Sequence, residues 1–254
     1  MKKLYSLLSA LAFFTCFASS LALSSCSNDT TLSVNDTSSV FTENQNELTH
    51  RAGDIMPANS DNPYDSAGRI HNELLETYYA SENLPQSISA IANRVLFIAN
   101  EHSEFEGMKS SSYHTVSAER IQYIISHSDT IVSEIVNGLE MTLQAKLSLE
   151  SFINSMLLLA DKEDSCEGQY EYVVAYETDI LINPLFTERD KQIILTTTSI
   201  TRHSTYRVNK RPKKNTDPDW GIFVGRIIGA AEGSAYDSAT AITMALATGI
   251  AQNP

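Results

Sequence analysis

Gly221, Gly225, Gly229 and Gly233 recur every four residues, and Ala241, Ala245 and Gly249 continue the register past Asp237. Glycine costs about 1 kcal/mol relative to alanine in a helix interior. Four in register therefore need a neighbour whose backbone comes close enough to require the missing side chains. A step of four residues turns about 400°, so the row drifts by about 40° each time. The drift from 221 to 233 is about 120°, which is one face; carried on to 249 it is about 280°, more than one straight neighbour covers. The first four rungs suit a steep crossing along the i±4 rows. Asp217-Pro218-Asp219-Trp220 opens the element, with Asp as cap and Pro at the first helical position, and the pattern reads as one helix to about residue 251.

Two readings of this ladder stand. It is a tightly packed internal helix, or Gly221, Gly225, Gly229 and Gly233 form an interaction face for self-association or membrane insertion. Arg226, Glu232 and Asp237 interrupt it, and the uncharged stretch 238–251 is too short to span a bilayer.

The segments before it also carry helical spacing. Asn62-Pro63-Tyr64-Asp65 has Asn as cap, Pro at the first helical position and an acid in the first turn. Ala67, Ile70, His71, Leu74, Leu75 and Tyr78 follow at steps of three and four. A second helix is expected from about residue 85 to about 104, and a third from Ser117 to Val136 with a break at 126–129. A long apolar row runs from Leu139 to Ala160. Residues 170–182, rich in Tyr and Val, leave helix and strand both open. Residues 187–206 start like a capped helix but hold the β-branched run Thr196-Thr197-Thr198. Sustained strand alternation is missing throughout, so the expected class is all-α, an irregular bundle of roughly six or seven helices.

The first 60 residues follow other rules. Lys2 and Lys3 precede an uncharged run from residue 4 to 23, as in an export signal. Leu23-Ser24-Ser25-Cys26 resembles a bacterial lipobox. That resemblance implies cleavage before Cys26 and acylation of its thiol, giving a stable hold on a membrane. Residues 26–60, rich in Ser, Thr, Asn and Asp, then read as a flexible tether to a helical domain at 61–254. Cys16 would leave with the signal, so Cys166 is the one free thiol of the mature chain, among acidic neighbours that argue against a nucleophile.

The net charge of −13 becomes −15 once Lys2 and Lys3 are gone, which argues against a nucleic-acid partner. Arg202, Arg207, Lys210, Arg211, Lys213 and Lys214 form a basic strip without an acid. It reads as a solvated loop balancing acidic helices, or as a contact for anionic headgroups.

Catalytic signals are sparse. His71 lies on a helix with Asp65 and Glu73 nearby, so these three are the candidates for a general base with carboxylates, against a plain core histidine. Position 75 is Leu, so the i, i+4 His pair of a zinc helix is missing, and no metal or cofactor is expected. Glu101-His102-Ser103-Glu104 has no second His, and His114, His127 and His203 are isolated in sequence.

The Asn62-Pro63-Tyr64-Asp65 start, Gly68, His71-Asn72 and the Gly-rich C-terminal helix after Trp220 are together similar to a group of Bacteroidetes exported lipoproteins. The resemblance covers the two ends of the folded part and implies a lipid-anchored envelope protein, with the outer membrane as its place. It implies no chemistry. The expected functions are a helical binding or interaction module, an enzyme using His71 with a carboxylate, or a self-assembling or membrane-active protein using the glycine ladder.

Overall fold

A helix without a polar face belongs in the middle of a protein, and Ser238–Ala251 lies there. The computed structural model describes residues 57–128, 130–161, 166–207 and 218–253. Within it, all residues from Ala239 to Ala251 are buried. The signal, Cys26 and the tether up to residue 56 fall outside the described residues, as do Lys210, Arg211, Lys213 and Lys214.

The described residues form nine α-helices and no strand, the all-α class expected. In order they are α1 (Asp65–Tyr79), α2 (Ile88–Glu101), α3 (Ala118–Ser126), α4 (Ile131–Gly138), α5 (Leu143–Asp161), α6 (Cys166–Ile182), α7 (Glu188–Arg207), α8 (Pro218–Gly233) and α9 (Ser238–Ala251). Helix α9 touches α8, α2, α1, α3 and α7. Its small residues let five neighbours come close, and Thr243 and Thr248 return their hydroxyls to the preceding turn, Thr248 Oγ1 to the Met244 carbonyl at 2.7 Å.

The count exceeds six or seven for two local reasons. The expected break separates α3 from α4. The glycine element is not one helix: it stops at Gly233 and restarts at Ser238, where the Asp237 carboxylate accepts from Thr240 N at 2.7 Å. Asp237 also accepts from Ser110 N at 2.8 Å, so this cap fastens the loop before α3.

The ladder therefore faces its own second half. A Cβ on Gly225 would lie 3.0 Å from the Thr248 carbonyl oxygen, one on Gly229 2.7 Å from that of Met244, and one on Gly233 2.5 Å from Ala241 Cα. Each step of four forward along α8 meets a step of about four backward along α9. The drift that forbade one straight neighbour is absorbed because the rungs belong to two antiparallel helices. The interaction made by Gly221, Gly225, Gly229 and Gly233 is thus with α9 of the same chain.

Other starts follow local chemistry. Ser87 caps α2 and Ser117 caps α3 through their hydroxyls. Asn62 instead shapes the turn before α1, accepting from Tyr64 N at 2.8 Å while its carbonyl takes Asp65 N at 3.0 Å. The undecided segment at 170–182 is helix α6, paired with α5 by Phe152 stacked on Tyr176 at 4.6 Å and on Tyr172 at 6.0 Å. The threonine run is helical in α7, where the buried hydroxyls of Thr197 and Thr198 donate to the Ile193 and Leu195 carbonyls one turn back, at 2.8 and 3.1 Å. None of the described helices is long and apolar enough to cross a membrane.

Candidate functional site

Helix α6 places Val173, Glu177 and Ile180 on one inward face, all buried. A carboxylate in that row needs donors from its neighbours. Asn59 Nδ2 donates to Glu177 Oε2 at 2.7 Å, and Asn62 Nδ2 and Thr198 Oγ1 each donate to Oε1 at 2.8 Å. Arg202 adds its charge, with Nε 3.3 Å from Oε2. Both members of that pair are fully buried. Arg202 also reaches Asp65 Oδ1 at 2.5 Å and the Pro57 carbonyl, and His203 Nε2 sits 3.2 Å from Asp65 Oδ1. Gly68 makes room for this, since a Cβ there would overlap the His203 ring and Ser199.

Burial alone would raise the Asp65 carboxyl. Hydrogen bonds with His203 and Arg202, and the Arg202 charge, outweigh it and hold the group at about 2. The cluster is thus a set of polar side chains bound to one another. Glu177 has both oxygens occupied from inside the protein, so it offers no lone pair to a substrate. What the arrangement does is fasten residues 57–65 to α6 and α7 across more than a hundred residues of sequence. The expected tether to residue 60 therefore gives way to packed structure by residue 57.

The three catalytic candidates are drawn apart. Asp65 belongs to the Arg202–His203 cluster. Glu73 lies at the surface with Arg69 at 2.9 Å and His102 at 2.9 Å; burial would raise its carboxyl, but the His102 and Arg69 hydrogen bonds bring it below the usual range. His71 is fully buried, with Nδ1 3.1 Å from Asn72 Oδ1. No group of three or more His, Cys, Asp or Glu that could hold a metal ion occurs among the described residues. Arg202 leaves the basic strip altogether, buried because it balances Glu177 and Asp65. Sequence reading missed Asn59, Glu177, Arg202 and His203 as a cluster. One signal was there: Glu177 stands in the same helical row as Val173 and Ile180.

A second feature lies outside. Along α5 the exposed positions are Leu143, Gln144, Leu147, Ser151, Asn154 and Leu158. They fall within an arc of about 100°, bordered by the partly buried Glu150. Leu143, Leu147 and Leu158 are 70, 58 and 59% exposed. Ile182, the last residue of α6, and Leu185 just after it are 74 and 63% exposed. Asp190 accepts from Thr142 N at 2.9 Å and from Thr187 N at 2.9 Å. Five large apolar side chains are thus exposed on α5 and around the end of α6.

Scans against protein-family models, curated proteins and solved structures each found no match.

Proposed function

We propose that this chain is a lipid-anchored protein of the bacterial cell envelope, held in the outer membrane by acylated Cys26, whose helical domain is an interaction module. The observation that carries the module reading is the contrast between the two sites. The buried ionic cluster is satisfied from within, whereas the outer face of α5 presents leucines to a partner. The Leu23-Ser24-Ser25-Cys26 sequence supports the anchor. An enzyme built on His71 loses support because Asp65 and Glu73 are engaged elsewhere. Self-assembly through the glycines loses support because α9 occupies their face.

The test is metabolic labelling with a palmitate analogue and membrane fractionation of the parent and Cys26→Ala chains. The parent is expected to be labelled and membrane-bound, and the variant unlabelled and released. An unlabelled parent that stays in membranes with its N-terminus uncut overturns the anchor.

A further inference from the structure

We infer that residues 57–62 are a releasable strap, and that the seat they cover between α6 and α7 is a binding site for a peptide segment carrying Asn-x-x-Asn. Nothing in this depends on the proposed anchor. Of residues 57–62, only Asn59 and Asn62 are buried. Ala58, Ser60 and Asp61 are exposed and Pro57 is half-buried. The strap thus buries polar side chains where a core segment buries apolar ones. A segment with few buried apolar contacts opens locally, without global unfolding.

What lies underneath favours that opening. Arg202 and Glu177 are fully buried. Burying such a pair carries a desolvation penalty, which is relieved when water reaches it. With the strap in place the guanidinium is still short of a partner: Arg202 Nε, 3.3 Å from Glu177 Oε2, makes no aligned hydrogen bond. Opening breaks the bonds of the strap but returns hydration to the pair, so the two effects oppose each other.

The seat reads both side chains and main chain. Glu177 Oε2 accepts from the Asn59 carboxamide at 2.7 Å, and Oε1 from that of Asn62 at 2.8 Å. The Leu195 carbonyl takes a second bond from Asn62 Nδ2, at 3.0 Å. Arg202 Nη1 and the Tyr170 hydroxyl donate to the carbonyls of Pro57 and Ala58. Two carboxamides three residues apart and two successive carbonyls are therefore recognised by groups fixed on α6 and α7. Thr198 stays on Oε1 at 2.8 Å and keeps the carboxyl oriented when the strap leaves. An Asp in place of either Asn would set an acid against Glu177, so the seat discriminates Asn from Asp. The strap is the resident occupant, and the same segment supplied by another chain competes with it.

Hydrogen exchange tests release in the full chain without a variant. The amide of Asn62, bonded to the Asn59 carbonyl at 3.1 Å, and that of Tyr64, bonded to Asn62 Oδ1 at 2.8 Å, report on the strap. They are expected to exchange with little dependence on urea, while α9 amides follow global unfolding. Strap amides that share the urea dependence of α9 overturn the inference. Asn59→Ala is expected to speed strap exchange roughly tenfold. A fluorescent peptide of residues 57–64 then probes the seat by anisotropy. An occupant that must wait for opening binds in proportion to the open fraction, so Asn59→Ala in the chain is expected to tighten its apparent affinity by the same factor. The peptide carrying Asn59→Asp and Asn62→Asp is expected not to bind. Equal affinity for the parent and Asn59→Ala chains, or equal binding of the Asp peptide, also overturns the inference. None of these readouts involves Cys26, whose replacement reports on the anchor alone.

Discussion

Alanine is the better helix former, yet Gly229→Ala is expected to destabilise this protein. The new Cβ would lie 2.7 Å from the Met244 carbonyl oxygen, 2.9 Å from its carbon and 3.0 Å from Ala245 Cα. Ordinary contact begins at 3.4 Å, so α8 and α9 must part by about 0.7 Å at this rung. All three obstructing atoms are main chain, which no rotamer change can move aside. Inserting a methyl into such packing costs about 1–3 kcal/mol, against a helix gain of about 1 kcal/mol. Because the obstruction is main chain, the cost falls at the upper end, for a net loss of about 1–2 kcal/mol. For a domain of this size each kcal/mol is about 2–4 °C, so the melting temperature falls by roughly 2–8 °C. Gly138→Ala is the control: Gly138 closes α4 and nothing lies within 4 Å of its Cβ position. It is expected to gain up to about 1 kcal/mol. Scanning calorimetry and urea unfolding of both variants give the comparison. If Gly229→Ala equals or exceeds the parent while Gly138→Ala behaves as stated, the α8–α9 seam is not as close as described.

Two further outcomes concern the buried cluster. Glu177→Gln leaves the Arg202 guanidinium without its fully buried partner and is expected to cost about 3–5 kcal/mol in urea unfolding, with Arg202→Met in the same chain recovering part of it. Full additivity of the two changes would show that the pair is not coupled. The folded Asp65 carboxyl, at about 2, lies below its free value of 3.8, so folding favours its ionised form. The stabilisation, about 2 kcal/mol, is complete above the free value and lost as pH falls through the folded one. Asp65→Asn is therefore expected to trail the parent at pH 6 and to close the gap between about pH 4 and 2; a constant gap across that range would contradict the assignment.

Most helices were legible because their signals are local. Ser87 and Ser117 stand one residue before α2 and α3, and the apolar rows of α1 and α5 keep steps of three and four. The break between α8 and α9 was hidden because Gly, Ala and Thr continue the ladder through it, and Asp237 looked like a flaw in one helix when it is the cap of another. Helix α6 was ambiguous because its tyrosines serve two surfaces, one facing Phe152 and another reaching Ala58. The ionic cluster was illegible for a different reason. Arg202 and Glu177 are neutralised across helices, and Asn59 lies 118 positions from its acceptor. No spacing rule reaches that far, so Arg202 counted as surface charge and Asn59 as tether. Asp65 was singled out with the wrong histidine: His71 shares its helix, while His203 shares its hydrogen bond.

The fastening of residues 57–62 has a mechanical consequence. A pull on the chain at residue 57 does not load α1 first. It is met at once by Arg202 through the Pro57 carbonyl, by Glu177 through Asn59 and again through Asn62, and by Tyr170 through Ala58. Those four holds lie on α6 and α7, so tension is divided between two helices and stops short of the α1 hydrogen-bond ladder. Fraying of the fold under load would begin only after several bonds, two of them inside the protein, had let go together.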